Sequence, residues 1–161
     1  MTYARVIVAA ALQRYIEPPP VAVRARETGI AMAKEHNVPI FAITVDAPVA
    51  LLPDVESTGE KMDRFVEPIR NAGIEVHPRL MSGRPSEKIL EFLTGLGAGE
   101  SLLIMGSHSK RGILDVGLGG TARALMGESP CPLLMVCPTR RDEERARELM
   151  IPSYPFVFPY G

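Results

Sequence analysis

LLIMGSHSKRGILDVGLGGTARALMGESPCPLLMVCP, residues 102–138, reads in succession as strand, polar loop, helix and strand. The apolar run ends at Gly106 and opens into a loop of small and basic residues: Ser107, Ser109, Lys110 and Arg111. A glycine pair, Gly119-Gly120, then precedes a helix-forming stretch that begins at Thr121, and a last apolar run follows Pro132. Glycines at such places let backbone approach a ligand closely. Backbone N–H groups of a loop and of a helix start attract anions. The segment therefore predicts a cradle for a phosphate-sized anion.

Outward from this stretch, the same rhythm repeats. Strand candidates are Arg5–Leu12, Ile40–Val45, Ile74–Met81, Ser101–Met105 and Leu133–Cys137. Four of them are nearly continuous apolar runs, as expected of parallel strands covered on both faces. Ile74–Met81 instead alternates and contains Pro78, which suits an edge strand. Helix candidates lie between them. Val21–His36 sets Ala22, Ala25, Gly29 and Ala33 on one face, which allows close approach to a sheet, and Asn37 is its stop signal. Glu56–Ala72 carries Met62, Phe65, Val66 and Ile69 at helical spacing, with a kink or shift expected at Pro68. Ser86–Leu96 has an apolar stripe of Ile89, Leu90, Leu93 and Leu96, and Thr121–Gly127 completes the alternation. Strand and helix alternating throughout predict a three-layer α/β domain with a parallel sheet.

Composition narrows the function classes. The chain has 161 residues and a net charge of -1, which gives no reason to propose nucleic acid or an anionic membrane as a partner. No apolar run approaches a membrane span, and the opening MTYARVIVAAALQRY reads as a first strand rather than a leader. Cys131 and Cys137 flank one short strand and are expected to be reduced, which fits a cytoplasmic protein. His36, His77 and His108 have no paired spacing, so no metal site is expected, and no acid is placed to make His108 catalytic. Asp46 follows the second strand, where it could face the rim of a cleft, but in Asp-Ala-Pro it reads best as a turn residue.

Residues 139–161 extend the domain of residues 1–138. A charged stretch, TRRDEERARELM, predicts a surface helix, and IPSYPFVFPYG follows with four of the chain's nine aromatics. Tyr154, Phe156, Phe158 and Tyr160 alternate with Pro155, Val157 and Pro159, so Ile151–Gly161 is expected to be extended and docked in a groove of its own subunit or of its dimer partner, with the Pro-rich Tyr15–Pro20 stretch a candidate neighbour.

Met105-Gly106-Ser107-His108, Gly112, Gly119 and Ser129-Pro130-Cys131-Pro132 together resemble the universal stress protein (UspA-like) family. Gly83-Arg84-Pro85-Ser86 is similar to the family's Gly-x-Pro turn. The likeness covers roughly residues 4–138 and implies an adenine nucleotide alpha-hydrolase-like fold with a five-stranded parallel sheet in the order 3-2-1-4-5. It implies a ligand cleft at the switch in strand order, formed by Ala10, Ala11, Val45, Met105, Gly106, Ser107, Ser109, Lys110, Arg111, Gly119, Gly120 and Thr121. Val45 is the residue whose backbone would meet an adenine ring. The family's nucleotide-binding branch carries G-x2-G-x9-G-(S/T). Here Ser109 replaces the second glycine, Gly120 the hydroxyl residue, and Ala11 the acidic residue after the first strand.

These departures favour a small regulatory binding protein of the universal stress type with a degenerate nucleotide loop and no turnover of its own. ATP or AMP would bind weakly, or a phosphate-sized anion alone. The alternative is a member that binds ATP or AMP and hydrolyses ATP slowly. A receiver domain needs acidic residues after the first strand and an acceptor aspartate after the third, where Ala11 and Ser82 stand. A dinucleotide enzyme needs G-x-G-x-x-G after the first strand, which is absent. The uncharged last strand is a poor exposed edge, so a homodimer through Leu133–Cys137 is expected, with room for a further, unidentified protein partner.

Overall fold

The structure, a computed structural model, describes residues 2–48, 56–97, 99–107 and 120–151. In chain order the elements are β1 (Arg5–Ala9), α1 (Pro20–His36), β2 (Ile40–Asp46), α2 (Thr58–Asn71), β3 (Val76–Ser82), α3 (Pro85–Gly95), β4 (Ser101–Gly106), α4 (Gly120–Glu128), β5 (Leu133–Val136) and α5 (Arg140–Leu149). The five strands form one parallel sheet in the order β3-β2-β1-β4-β5, as the family likeness implies. One apolar cluster packs α1 and α2 residues such as Ala25, Phe65 and Ile69 against Val6, Val8 and Ile104. The other packs Ile89 and Leu93 of α3 and Leu125 of α4 against Ile7, Ile43 and Leu103.

The small-residue face of α1 does what its composition predicts. Ala22, Ala25, Gly29 and Ala33 are its buried residues, and a β-carbon on Gly29 would lie 2.6 Å from Val8 Cγ2. Asn37 ends the helix with φ 54°, a left-handed cap whose N–H returns to the last turn. Pro68 is carried inside α2, which continues to Asn71. The Ser57 side chain caps the start of α2 in a reciprocal box with Glu60.

β3 is an edge, and Pro78 sits in it without losing a ladder bond. Ile40 N–H donates to Glu75 O and Gly83 N–H donates to Asp46 O, so odd-numbered residues of β3 point their backbone toward β2. Pro78 therefore turns its missing donor outward. β5 is the opposite edge, and Leu134 is 39% exposed there.

β1 ends at Ala9, three residues before the expected Leu12. Tyr15 N–H donates to Leu12 O (3.2 Å), so the chain turns at Gln13 instead of continuing along the sheet. The turn then meets the C-terminal extension. Ile16 N–H donates to Leu149 O (2.9 Å), Ile151 N–H donates to Arg14 O (2.6 Å), and Tyr15 and Met150 form an antiparallel bridge. Tyr15, Leu149 and Ile151 are all buried. The contacts with Tyr15 and Ile16 come from Leu149 and Met150, while Ile151 reaches Arg14; the rest of the expected docking segment, residues 152–161, lies outside the described residues.

α5 is charged, as expected, yet it is fastened by one edge. Thr139 caps it in a second reciprocal box with Asp142, whose carboxylate pairs with Arg24 of α1. Burial works against the Asp142 charge, but the Thr139 N–H and hydroxyl and the Arg24 guanidinium outweigh it and hold the carboxyl below the ordinary aspartate value. A depressed carboxyl stabilises the fold above its unfolded value, about 4, and that contribution is lost as pH falls through the lower folded value. Protection factors of the α5 amides, with the intrinsic pH dependence of exchange divided out, should therefore fall as pH drops below about 4. Asp142→Asn should lack that step; an identical acid profile in both proteins would contradict it.

Candidate functional site

The switch in strand order lies between β1 and β4, so the space beyond their carboxyl ends is where an open α/β sheet receives a ligand. Ala9 is level with Ile43 and Met105, which places Ala10, Ala11, Val45 and Gly106 around one opening. Odd-numbered residues of β2 turn their backbone toward β1, since Val6 N–H donates to Pro39 O and Ala10 N–H to Ile43 O. Val45 therefore presents its main chain just past the last residue of β1, while its side chain packs against the α3/α4 cluster. Ala11 is exposed at this opening.

Gly106 has a packing reason for its missing side chain. A β-carbon there would stand 2.8 Å from Val21 Cβ and 2.9 Å from Val21 Cγ2, so the glycine admits the first turn of α1. Ser107 follows, 1% exposed, with its N–H donating to Val136 O and its hydroxyl without a partner among the described residues. Gly120 is the first residue of α4, and Thr121 is half-buried in that first turn. Ser109, Lys110, Arg111 and Gly119 lie outside the described residues, as does His108.

Two features of the opening escape the sequence reading, and a third departs from it. Gln13 clasps the segment after β2, its Nε2 donating to Ala47 O (2.9 Å) and its Oε1 accepting from Ala47 N–H (3.0 Å). Lys61, from the first turn of α2, is buried, and its Nζ donates to Leu12 O and Gln13 O. The signal for it is positional: Lys61 lies one turn before Phe65 and so falls on the buried stripe of α2. Asp46, expected in a turn, is the last residue of β2, because its carbonyl still accepts from Gly83 N–H. One of its carboxylate oxygens is buried without a partner among the described residues, as is the Thr44 hydroxyl.

A hollow of about 370 Å³ lies at the other end of the sheet, lined by Asn37, Pro39, Gly73 and Glu75 among others. There the C-terminal ends of α1 and α2 meet, where helix dipoles disfavour anions. Among the described residues, no helix is long and apolar enough to cross a membrane.

The strand order and the helices on both faces place the molecule among doubly wound α/β domains with a cleft at the switch point. The model of the universal stress protein family matches residues 3–137, and the chain belongs to that family. Universal stress protein MJ0531 of Methanocaldococcus jannaschii is 26% identical over 135 residues, which cover 76% of this chain and 78% of the relative. The universal stress protein from Archaeoglobus fulgidus in complex with dAMP superposes with a TM-score of 0.60 at 19% identity, covering 84% of this chain and 99% of that one. A universal stress protein family protein from Arabidopsis thaliana with AMP bound gives 0.63 at 18% identity, covering 86% and 93%. At such identities the two structures share the fold.

Proposed function

We propose that this universal stress protein is a regulatory binding protein whose cleft takes an adenine nucleotide weakly, through its phosphate, without turnover of its own. The observation that supports the reading is that the Val45 main chain and Gly106-Ser107 stand at the carboxyl ends of strands on either side of β1, at the switch in strand order. The Ser107 hydroxyl, buried and without a partner among the described residues, is a donor suited to a phosphate oxygen. The dAMP and AMP complexes of the structures with the same fold support the choice of an adenine nucleotide. With Ala11 and Gly120 in place of two recognition side chains, affinity should be on the order of 10 µM or weaker. Calorimetry with ATP, AMP and inorganic phosphate is the test. Sub-micromolar ATP binding would refute the weak-binding reading, and silence from all three would refute the site.

We further propose a homodimer across β5. Even-numbered residues of β5 point their backbone at β4, so Leu133 and Met135 leave theirs at the open edge. That edge carries no charge and shows Leu134 to solvent. Such an edge invites pairing with a second copy. Leu134→Lys should give a monomer by analytical ultracentrifugation, since Val136 packs against the core and Leu134 is the freer probe. A parent protein that is already monomeric at tens of micromolar would defeat the idea.

A further inference from the structure

Neighbouring parallel strands are joined by evenly spaced main-chain hydrogen bonds. At the cleft end, the last bond between β1 and β2 runs from Ala10 N–H to Ile43 O (3.0 Å). The chain of β1 then turns away, with Tyr15 N–H on Leu12 O, while β2 runs on to Asp46. Val45 and Ala47 are the next odd-numbered residues, whose main chain turns toward the side that β1 has left. Ala47 is met there by the Gln13 side chain: Nε2 donates to Ala47 O (2.9 Å) and Oε1 accepts from Ala47 N–H (3.0 Å). A primary amide carries the donor and the acceptor of a peptide group, so Gln13 supplies a substitute rung of the ladder. Val45 receives none. Among the described residues, nothing on the β1 side bonds its N–H or its C=O.

At about 3.3 Å per residue, the two closed rungs at Ile43 and Ala47 stand about 13 Å apart along the strand, with Val45 midway. Both borders of this gap are fixed. Asp46 O accepts from Gly83 N–H, and the Val45 side chain packs against the α3/α4 cluster. On the loop side, Lys61 Nζ donates to Gln13 O and Ile151 N–H to Arg14 O. We propose that Gln13 is a positioning residue of the cleft: its amide closes the seam beyond Val45 and keeps a slot in which the Val45 main chain reads the edge of one flat heterocycle. Val45 offers one C=O and one N–H, so the matching edge carries an amino group beside an unprotonated ring nitrogen. Adenine has that pair, and hypoxanthine, with a carbonyl beside a protonated nitrogen, reverses it. Gln13 thereby sets the discrimination between purines, a role that rests on the nucleotide reading above.

Gln13→Met keeps the length of the side chain and removes both hydrogen bonds. Calorimetry of parent and variant with AMP, inosine monophosphate and inorganic phosphate reads the role. The parent should prefer AMP to inosine monophosphate. The variant should bind AMP roughly fivefold more weakly, the effect of one misaligned hydrogen bond, and lose most of that preference. Phosphate affinity should stay the same. An equal fall for all three ligands, or an intact preference in the variant, would overturn the proposal. A parent that binds no nucleotide refutes the nucleotide reading and this role with it; a parent that binds both nucleotides equally refutes the role alone. Amide exchange in the ligand-free parent tests the slot without any variant, and so decides should Gln13→Met fail to fold. Val45 N–H should exchange fast and Ala47 N–H slowly, and AMP should slow Val45. A Val45 amide already protected without ligand would mean that the slot is closed, and the proposal would fall.

Discussion

A chain cut after Pro138 should melt roughly 10 °C below the intact protein and expose apolar surface at the end of β1. Truncation removes Leu149 and Ile151, which are 4% and 6% exposed, and uncovers Tyr15, which is 7% exposed. Burial of each aliphatic side chain stabilises by about 1.5–3 kcal/mol. The cost of ordering the extension offsets part of that. Two backbone hydrogen bonds, Ile16 to Leu149 and Ile151 to Arg14, vanish with it, as does the Arg24–Asp142 pair. A pair that keeps one partner partly in solvent contributes little, so most of the loss should come from the apolar contacts. Differential scanning calorimetry of the two proteins measures the effect. Coincident melting curves would mean that the extension is not integral to the domain, although the family match to residues 3–137 stops short of it.

Gly29→Ala should destabilise the protein by about 1–3 kcal/mol, the usual cost of an overpacked core. Helix propensity alone predicts the reverse, since alanine is better than glycine in a helix interior by about 1 kcal/mol. Packing wins because the new methyl group would lie 2.6 Å from Val8 Cγ2, closer than real contacts allow. Val8 is fully buried in β1, which is held by β2 on one side and β4 on the other. It has nowhere to retreat. Combining Gly29→Ala with Val8→Ala vacates the space, so the double variant should lose less stability than the two single losses added together. Urea denaturation of the three variants tests this, and strict additivity would show that α1 simply shifts.

The small-residue face of α1 could be read from sequence because its cause is local: four small residues at helical spacing need no knowledge of what they touch. The edge position of β3 was legible for a similar reason, since Pro78 cannot donate wherever it is placed. Lys61 was not legible as a site residue. Its role depends on a loop roughly fifty residues earlier in the chain, and a lysine in a helix is ordinarily a solvated residue. Gln13 and Asp46 were hidden likewise, because one becomes a clasp and the other a strand end only when β1 and β2 lie side by side. Gly106 stands between these cases. Its smallness was visible, but Val21, the residue that requires it, becomes its neighbour only when α1 folds over the sheet.

The bridge between Tyr15 and Met150 sets an order of events during synthesis. Residues 14–16 leave the ribosome early, and their backbone partners emerge only after every strand of the sheet has been made. The cleft end of the molecule therefore stays unfinished until residue 151 is free, whatever the rest of the sheet has achieved. A nascent chain that stalls or is clipped after β5 would leave the loop after β1 without its C-terminal partners. The fold thereby reports at the end of its first strand whether the far end of the domain has been made.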